Sequence, residues 1–273
     1  LRKLGLLDQG FRGQPLQTLR QDTLTVLWGD WLKLRPRLVQ VSVSGLFTPL
    51  IYIAAFGLGL GRTLDAASQP SLGDSYLEFI LPGMVALSSM AISFTGTTFS
   101  ICGDRLFTQT FEELLLLPVH PLALFLGKMI AGVLRGSMTG ASVVLVAIVV
   151  TGKPWSFLNP LFLGLLIANC GVFAGLGVIA GLKVKSLESV GILSTCLILP
   201  MSFLGATFFD PNTLSVALKT LVYCLPLTYT AIGMRAAAYL PLSEFPWYSF
   251  PVLLGVGTVV ATIGAHLFAH LQD

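Results

Sequence analysis

Residues 157–182 read FLNPLFLGLLIANCGVFAGLGVIAGL, a run without a single charged side chain. A helix needs about 20 mostly apolar residues to cross the hydrocarbon of a bilayer, and this stretch is longer than that. It shows no polar stripe of the kind that a helix on a soluble core turns to water. Working outward, five more runs of the same character lie at 39–61, 77–102, 121–151, 189–209 and 247–270. Six spans therefore fill nearly everything after residue 37.

Composition agrees. The 273-residue chain is 54% hydrophobic and 11% charged, with a mean hydropathy of +0.83. Soluble domains carry about 25% charged residues, so a water-soluble fold could not cover this much apolar surface. A net charge of +3 argues against nucleic acid as a partner. Cys102, Cys170, Cys196 and Cys224 lack CxxC or Cys/His spacing, which leaves no metal or redox framework. The first apolar run starts too far into the chain for an ordinary signal peptide.

The positive-inside rule orients the spans. With the N-terminus inside, the inner segments hold Arg2, Lys3, Arg12, Arg20, Lys33, Arg35, Arg37, Arg105, Lys183 and Lys185, with Lys128 near the inner end of span three. The outer segments hold Arg62, Lys153, Lys219 and Arg235. Both termini are expected to be cytoplasmic. The chain then divides into a cytoplasmic N-terminal segment, 1–37, and a six-span domain, 38–273.

Three features punctuate the spans. In 15–37, Pro15 suits a first helical turn, and Leu24, Leu27, Trp28 and Trp31 share one face. Arg20, Lys33, Arg35 and Arg37 add positive charge. This predicts an amphipathic helix in the membrane interface, with Trp28 and Trp31 as anchors, that also touches a partner. Between spans two and three, Gly103-Asp104 can start a helix and Pro118 and Pro121 stop it. The spacing predicts a short amphipathic helix over about 104–117, with Phe107, Phe111 and Leu114/Leu115 as an apolar ridge beside Glu112 and Glu113. Such a ridge needs something to pack on. Residues 210–246 carry prolines at 211, 226, 241 and 246 and predict short re-entrant helices shielded by protein.

These residues carry a family resemblance. Leu81-Pro82-Gly83-Met84, then Phe111-Glu112-Glu113-Leu114-Leu115 with Pro118-Val119, then Gly127-Lys128 and Arg135-Gly136 are similar to the membrane subunits of ABC type-2 exporters. So is Pro226-Leu227-Thr228-Tyr229 followed by Arg235. The likeness spans essentially the whole chain. Departures occur at Leu204-Gly205-Ala206-Thr207, where the family usually has Ser-Gly before an aromatic, and at Ser215, where proline is common. The resemblance implies a homodimer or heterodimer of six-span subunits in the bacterial cytoplasmic (inner) membrane. A cytoplasmic ABC ATPase, two copies per complex, would bind ATP and Mg. It implies that the 104–117 helix is the coupling helix, with Asp104, Arg105, Phe107, Phe111, Glu112 and Glu113 at the ATPase contact. The 210–246 stretch would cap the exit. Family cargoes include lipo-oligosaccharides, polysaccharides, polyketide drugs and lipids.

The chain itself shows no nucleotide motif. A P-loop needs GxxxxGK[ST] after a strand, whereas Gly127-Lys128 is followed by Met129 inside an apolar helix. No catalytic residue, cofactor or metal is expected in this chain. Lys128 and Arg135 share a face of span three and read as a structural charge network, with Lys128 snorkelling to the headgroups and Glu112 or Glu113 within its reach. Ser89, Ser93, Thr97 and Ser100 form a hydroxyl stripe on span two, read either as a translocation path or as small-residue packing. Glycines 132, 136 and 140 on span three, and 171, 175, 177 and 181 on span four, mark close helix packing. Met201, Phe203, Leu204, Phe208 and Phe209 are candidates for an apolar plug on the path. The alternatives are a gradient-driven carrier or channel, for which the chain shows neither an internal repeat nor an acidic residue deep in a span. More distant is an intramembrane protease using Ser142 and His266, whose expected depths do not match.

Overall fold

The structure, a computed structural model, describes residues 15–55, 75–108, 110–116 and 119–272. Among these it is all helix. The elements are α1 (Pro15–Leu34), α2 (Leu38–Tyr52), α3 (Tyr76–Leu106), α4 (Thr110–Leu116), α5 (Pro121–Thr151) and α6 (Pro154–Phe157). They continue with α7 (Pro160–Lys183), α8 (Leu187–Leu204), α9 (Val216–Tyr223), α10 (Pro226–Tyr239) and α11 (Ser249–Gln272). The far end of the expected first span, 56–61, lies outside the described residues.

Local chemistry sets the ends. The Ser75 hydroxyl accepts the Glu78 amide at the start of α3, and Ser186 does the same for Ser189 at α8, each satisfying an orphan donor. Pro121 and Pro160 open α5 and α7, where a missing N–H costs nothing. Gly152 closes α5 with φ of 67°, a left-handed turn that favours glycine. Helix α9 meets α10 at 90°, a sharp break between short helices in the stretch before the last span.

Helix α3 is the hub: 83% of its most apolar 18-residue window is buried, against 11% for the first span and 22% for α8 and α11. It packs on α5 and α7, and α10 and α11 close the block. The seam is tight because it is built from small residues. A Cβ on Gly136 would overlap Ser93 Oγ, and one on Gly132 would overlap Thr97 Oγ1. Helices α2 and α8 stand at the margin of this block and leave long apolar faces uncovered.

Candidate functional site

At one end of the bundle α1 crosses the start of α5. Its buried face carries Thr23, Val26, Asp30 and Leu34, spaced at helical period, while Leu24 and Trp28 face outward and Trp31 is half-buried. Lys128 Nζ lies 2.8 Å from Asp30 Oδ1 and 2.9 Å from Asp104 Oδ2. Lys33 Nζ lies 2.8 Å from Asp104 Oδ1. Two cations thus face two carboxylates, so the cluster is neutral. Lys128 is 5% exposed and does not snorkel. Among the described residues its partners are Asp30, which α1 brings over it, and Asp104, in place of the expected Glu113; the Glu112 part of that expectation lies outside the described residues. Burial at this level demands full pairing, and the geometry provides it.

The expected 104–117 helix is divided differently. Asp104 and Arg105 belong to the last turn of α3, and the short helix is α4. Arg105 Nη1 donates to the carbonyls of Gly181, Leu182 and Val184, closing the end of α7 where carbonyls lack helical partners. Its guanidinium also lies 5.9 Å from the Phe111 ring. Phe111 is 4% exposed and meets Phe268 of α11 at 6.1 Å between ring centres. Phe107, in the turn between α3 and α4, is 69% exposed, and Glu113 is exposed. The Glu112 side chain lies outside the described residues. The ridge therefore splits: Phe111 is core, Phe107 is surface.

Among the described residues Arg135 makes no ion pair with a carboxylate. It donates to the Gly96 carbonyl at 2.9 Å and to Ser100 Oγ at 3.1 Å, which occupies Ser100. Ser89, Ser93 and Thr97 are fully enclosed in the α3–α5–α7 seam; they line no open surface of this subunit. Within this subunit the glycines of α5 face that stripe directly, Gly136 at Ser93 and Gly132 at Thr97.

The open hydroxyl surface lies elsewhere, in a groove of about 710 Å³ between α2, α3 and α8. Ser44, Thr48, Ser88, Thr95, Ser194 and Ser202 line it, with Phe203 at one end. Ser88 and Thr95 donate back to their own helix, at 2.7 and 2.6 Å, so their oxygens remain free to accept. Ser194 Oγ has no hydrogen-bond partner among the described residues. Of the plug candidates, Phe203 borders the groove and meets Phe208, which meets Tyr52 at 5.0 Å. Met201 packs in the main core instead.

Two buried groups escaped the reading of the chain. Asn169 of α7 donates to the Ala86 carbonyl and Ser89 Oγ at 3.0 and 3.1 Å and accepts from Thr230, tying α3, α7 and α10 together. Its signal was a lone amide in an otherwise apolar span. Arg235 of α10, quoted above only as a family residue and an outer charge, is 3% exposed. It donates from Nε to the Phe79 carbonyl at 3.0 Å and from Nη2 to the Ala206 carbonyl at 3.0 Å. Its carbon lies 3.6 Å from the Phe79 ring centre, a desolvated cation–π contact.

The sequence model of the ABC-2 type transporter family matches residues 21–239, from α1 through α10. The chain belongs to the ABC-2 type transporter family. Among similar proteins is the inner membrane transport permease YadH of Escherichia coli K12, 25% identical over 217 residues, covering 79% of this chain and 83% of that one. Nodulation protein J of Rhizobium meliloti is 30% identical over 194 residues, covering 71% and 72%. This ABC-2 protein is thus the membrane subunit of an ABC transporter, a multi-pass protein of the bacterial inner membrane. ABC-2 permeases of this kind work with an ATP-binding subunit. The matched region includes the α1–Lys128 cluster, the groove and Arg235.

Proposed function

We propose that this ABC-2 permease is the membrane half of an ATP-driven exporter that moves an amphipathic cargo past a dimer axis. The observation that carries the reading is the groove between α2, α3 and α8. It combines acceptor oxygens with apolar walls, and the two helices that flank it leave their outer faces unpaired in a single subunit. A second copy set against those faces, identical or related, would turn two grooves into one path. A glycolipid, an oligo- or polysaccharide, a lipid or a drug suits such walls; the hydroxyls of Ser44, Thr48 and Ser194 would meet its polar part. Phe203, Phe208 and Tyr52 would form the apolar gate before the α9–α10 cap.

In this reading the Lys128 end is cytoplasmic, as are both termini, and two copies of the ATPase dock there with ATP and Mg. Phe107 and Glu113 offer the exposed contact beside α4. Closure of the ATPases would move α4, and Phe111 on Phe268 and Arg105 on α7 would carry that motion into the bundle. Alternating access then rests on two packings biased by nucleotide state. The test is reconstitution in vesicles with and without a cognate ABC ATPase. ATP-dependent accumulation of labelled cargo that needs both chains is the expected result. Uphill transport by the permease alone on an ion gradient overturns the reading in favour of a secondary carrier.

A further inference from the structure

We propose that α1 holds a binding site for one anionic phospholipid, with an acyl chain under the helix and the phosphate on Arg35 and Arg37. A groove of about 630 Å³ runs beside α1, lined by Leu24, Thr25, Leu27, Trp28 and Trp31, with Leu134 of α5 as its floor. Leu134 lies nearly two turns beyond Lys128, so the groove descends from the charge cluster toward the hydrocarbon. Its lining is apolar apart from one threonine, and the Thr25 hydroxyl already donates to the Gln21 carbonyl at 2.9 Å. The occupant must therefore be a hydrocarbon chain.

Charge decides which lipid. Positions 24, 28, 31 and 35 recur at i, i+4, i+7 and i+11, one stripe of a helix. Leu34 keeps right-handed helical angles, φ −78° and ψ −41°, so Arg35 continues the stripe directly above Trp31. Arg35 and Arg37 are exposed and make no ion pair among the described residues. The neighbouring cation does not compete for the headgroup, because Lys33 is held on Asp104 at 2.8 Å. Arg35 thus follows Trp31 on the stripe that lines the groove, Arg37 lies two residues further along the chain, and guanidinium matches phosphate through paired N–H donors. A zwitterionic lipid would bring its own cation to that place; an anionic one would not. Tryptophans in the interface and arginines at its edge form a combined apolar and electrostatic anchor.

The site stands independently of the exporter reading, because binding needs neither ATPase nor cargo. The experiment uses the full chain in nanodiscs. Four tryptophans are present, so W155F and W247F leave Trp28 and Trp31 as reporters. Brominated phosphatidylglycerol or brominated phosphatidylcholine is then titrated and the quenching followed. The expected result is half-quenching at a much lower mole fraction of the anionic lipid. R35Q and R37Q should each narrow the preference, by roughly fivefold per arginine, while R35K/R37K retains most of it. Neutralising two exposed arginines leaves the core untouched, so folding is not at issue. Equal quenching by both lipids, or an undiminished preference in R35Q/R37Q, overturns the site.

Discussion

Lys128 and Asp30 meet at 2.8 Å across 98 residues of chain, and the contact pins α1 to α5. Asp104 shares the same ammonium at 2.9 Å, so α1, α3 and α5 join at one nitrogen. This is the end of the bundle that also carries α4. A movement of α4 therefore reaches the bundle through buried contacts.

Removal of that nitrogen should be costly. Lys128→Met leaves Asp30 buried without a cation, whereas Asp104 keeps Lys33. Breaking a buried pair in this way costs about 3–5 kcal/mol. Asp30→Asn should cost less, since Lys128 retains Asp104. The double variant K128M/D30N should recover much of the loss, because no lone buried charge remains. Thermal unfolding in detergent, arranged as a double-mutant cycle, measures the coupling; additive losses would show that the pair is not a unit.

Close packing at the seam makes a second expectation. Gly136→Ala places a methyl group on Ser93 Oγ and within 2.8 Å of the Ser89 carbonyl. Overpacking of this kind costs about 1–3 kcal/mol. Gly171→Ala is the control, because nothing lies within 4 Å of its added carbon, and it should unfold like the parent. Similar losses at both glycines would show that the seam contact does not set the effect, since helix propensity by itself favours alanine.

The connection after α8 holds a strained residue. Ala206 has φ of 55°, a conformation that costs a residue with a Cβ about 1–2 kcal/mol, and its carbonyl accepts from Arg235. Ala206→Gly should stabilise the protein by about 0.5–1 kcal/mol after the added chain entropy of glycine is counted. Arg235→Lys should do the opposite. An ammonium cannot reach both Phe79 and Ala206 in the planar geometry of a guanidinium. Amide exchange across 205–210 should rise in R235K and fall in A206G.

The exposed turn offers a functional variant. Phe107→Glu changes a side chain that supports no core cluster, so its melting temperature should match the parent. ATPase co-purification should fall several-fold if this turn is the docking contact. Phe111→Ala, by contrast, removes a buried ring and should cost about 3–5 kcal/mol. Retained ATPase binding in F107E would move the contact elsewhere.

The amino-acid sequence alone determined the elements. Uncharged runs of membrane length, prolines at 121, 160 and 226, and the Ser75 and Ser186 caps decide where helices begin, because these are local matters of hydration and backbone geometry. The family, too, was legible, from motifs spread along the chain. Tertiary structure alone decided how the helices face one another. An apolar helix surface reads the same whether lipid or protein covers it, since hydrocarbon and protein interior are nearly equal as solvents for leucine. Nothing local therefore told the enclosed Ser93 from the groove-lining Ser194, or named Asp30 as the partner of Lys128. The answers came from which side of α3 the glycines of α5 approach, and from α1 folding back over a lysine that would otherwise have reached for the headgroups.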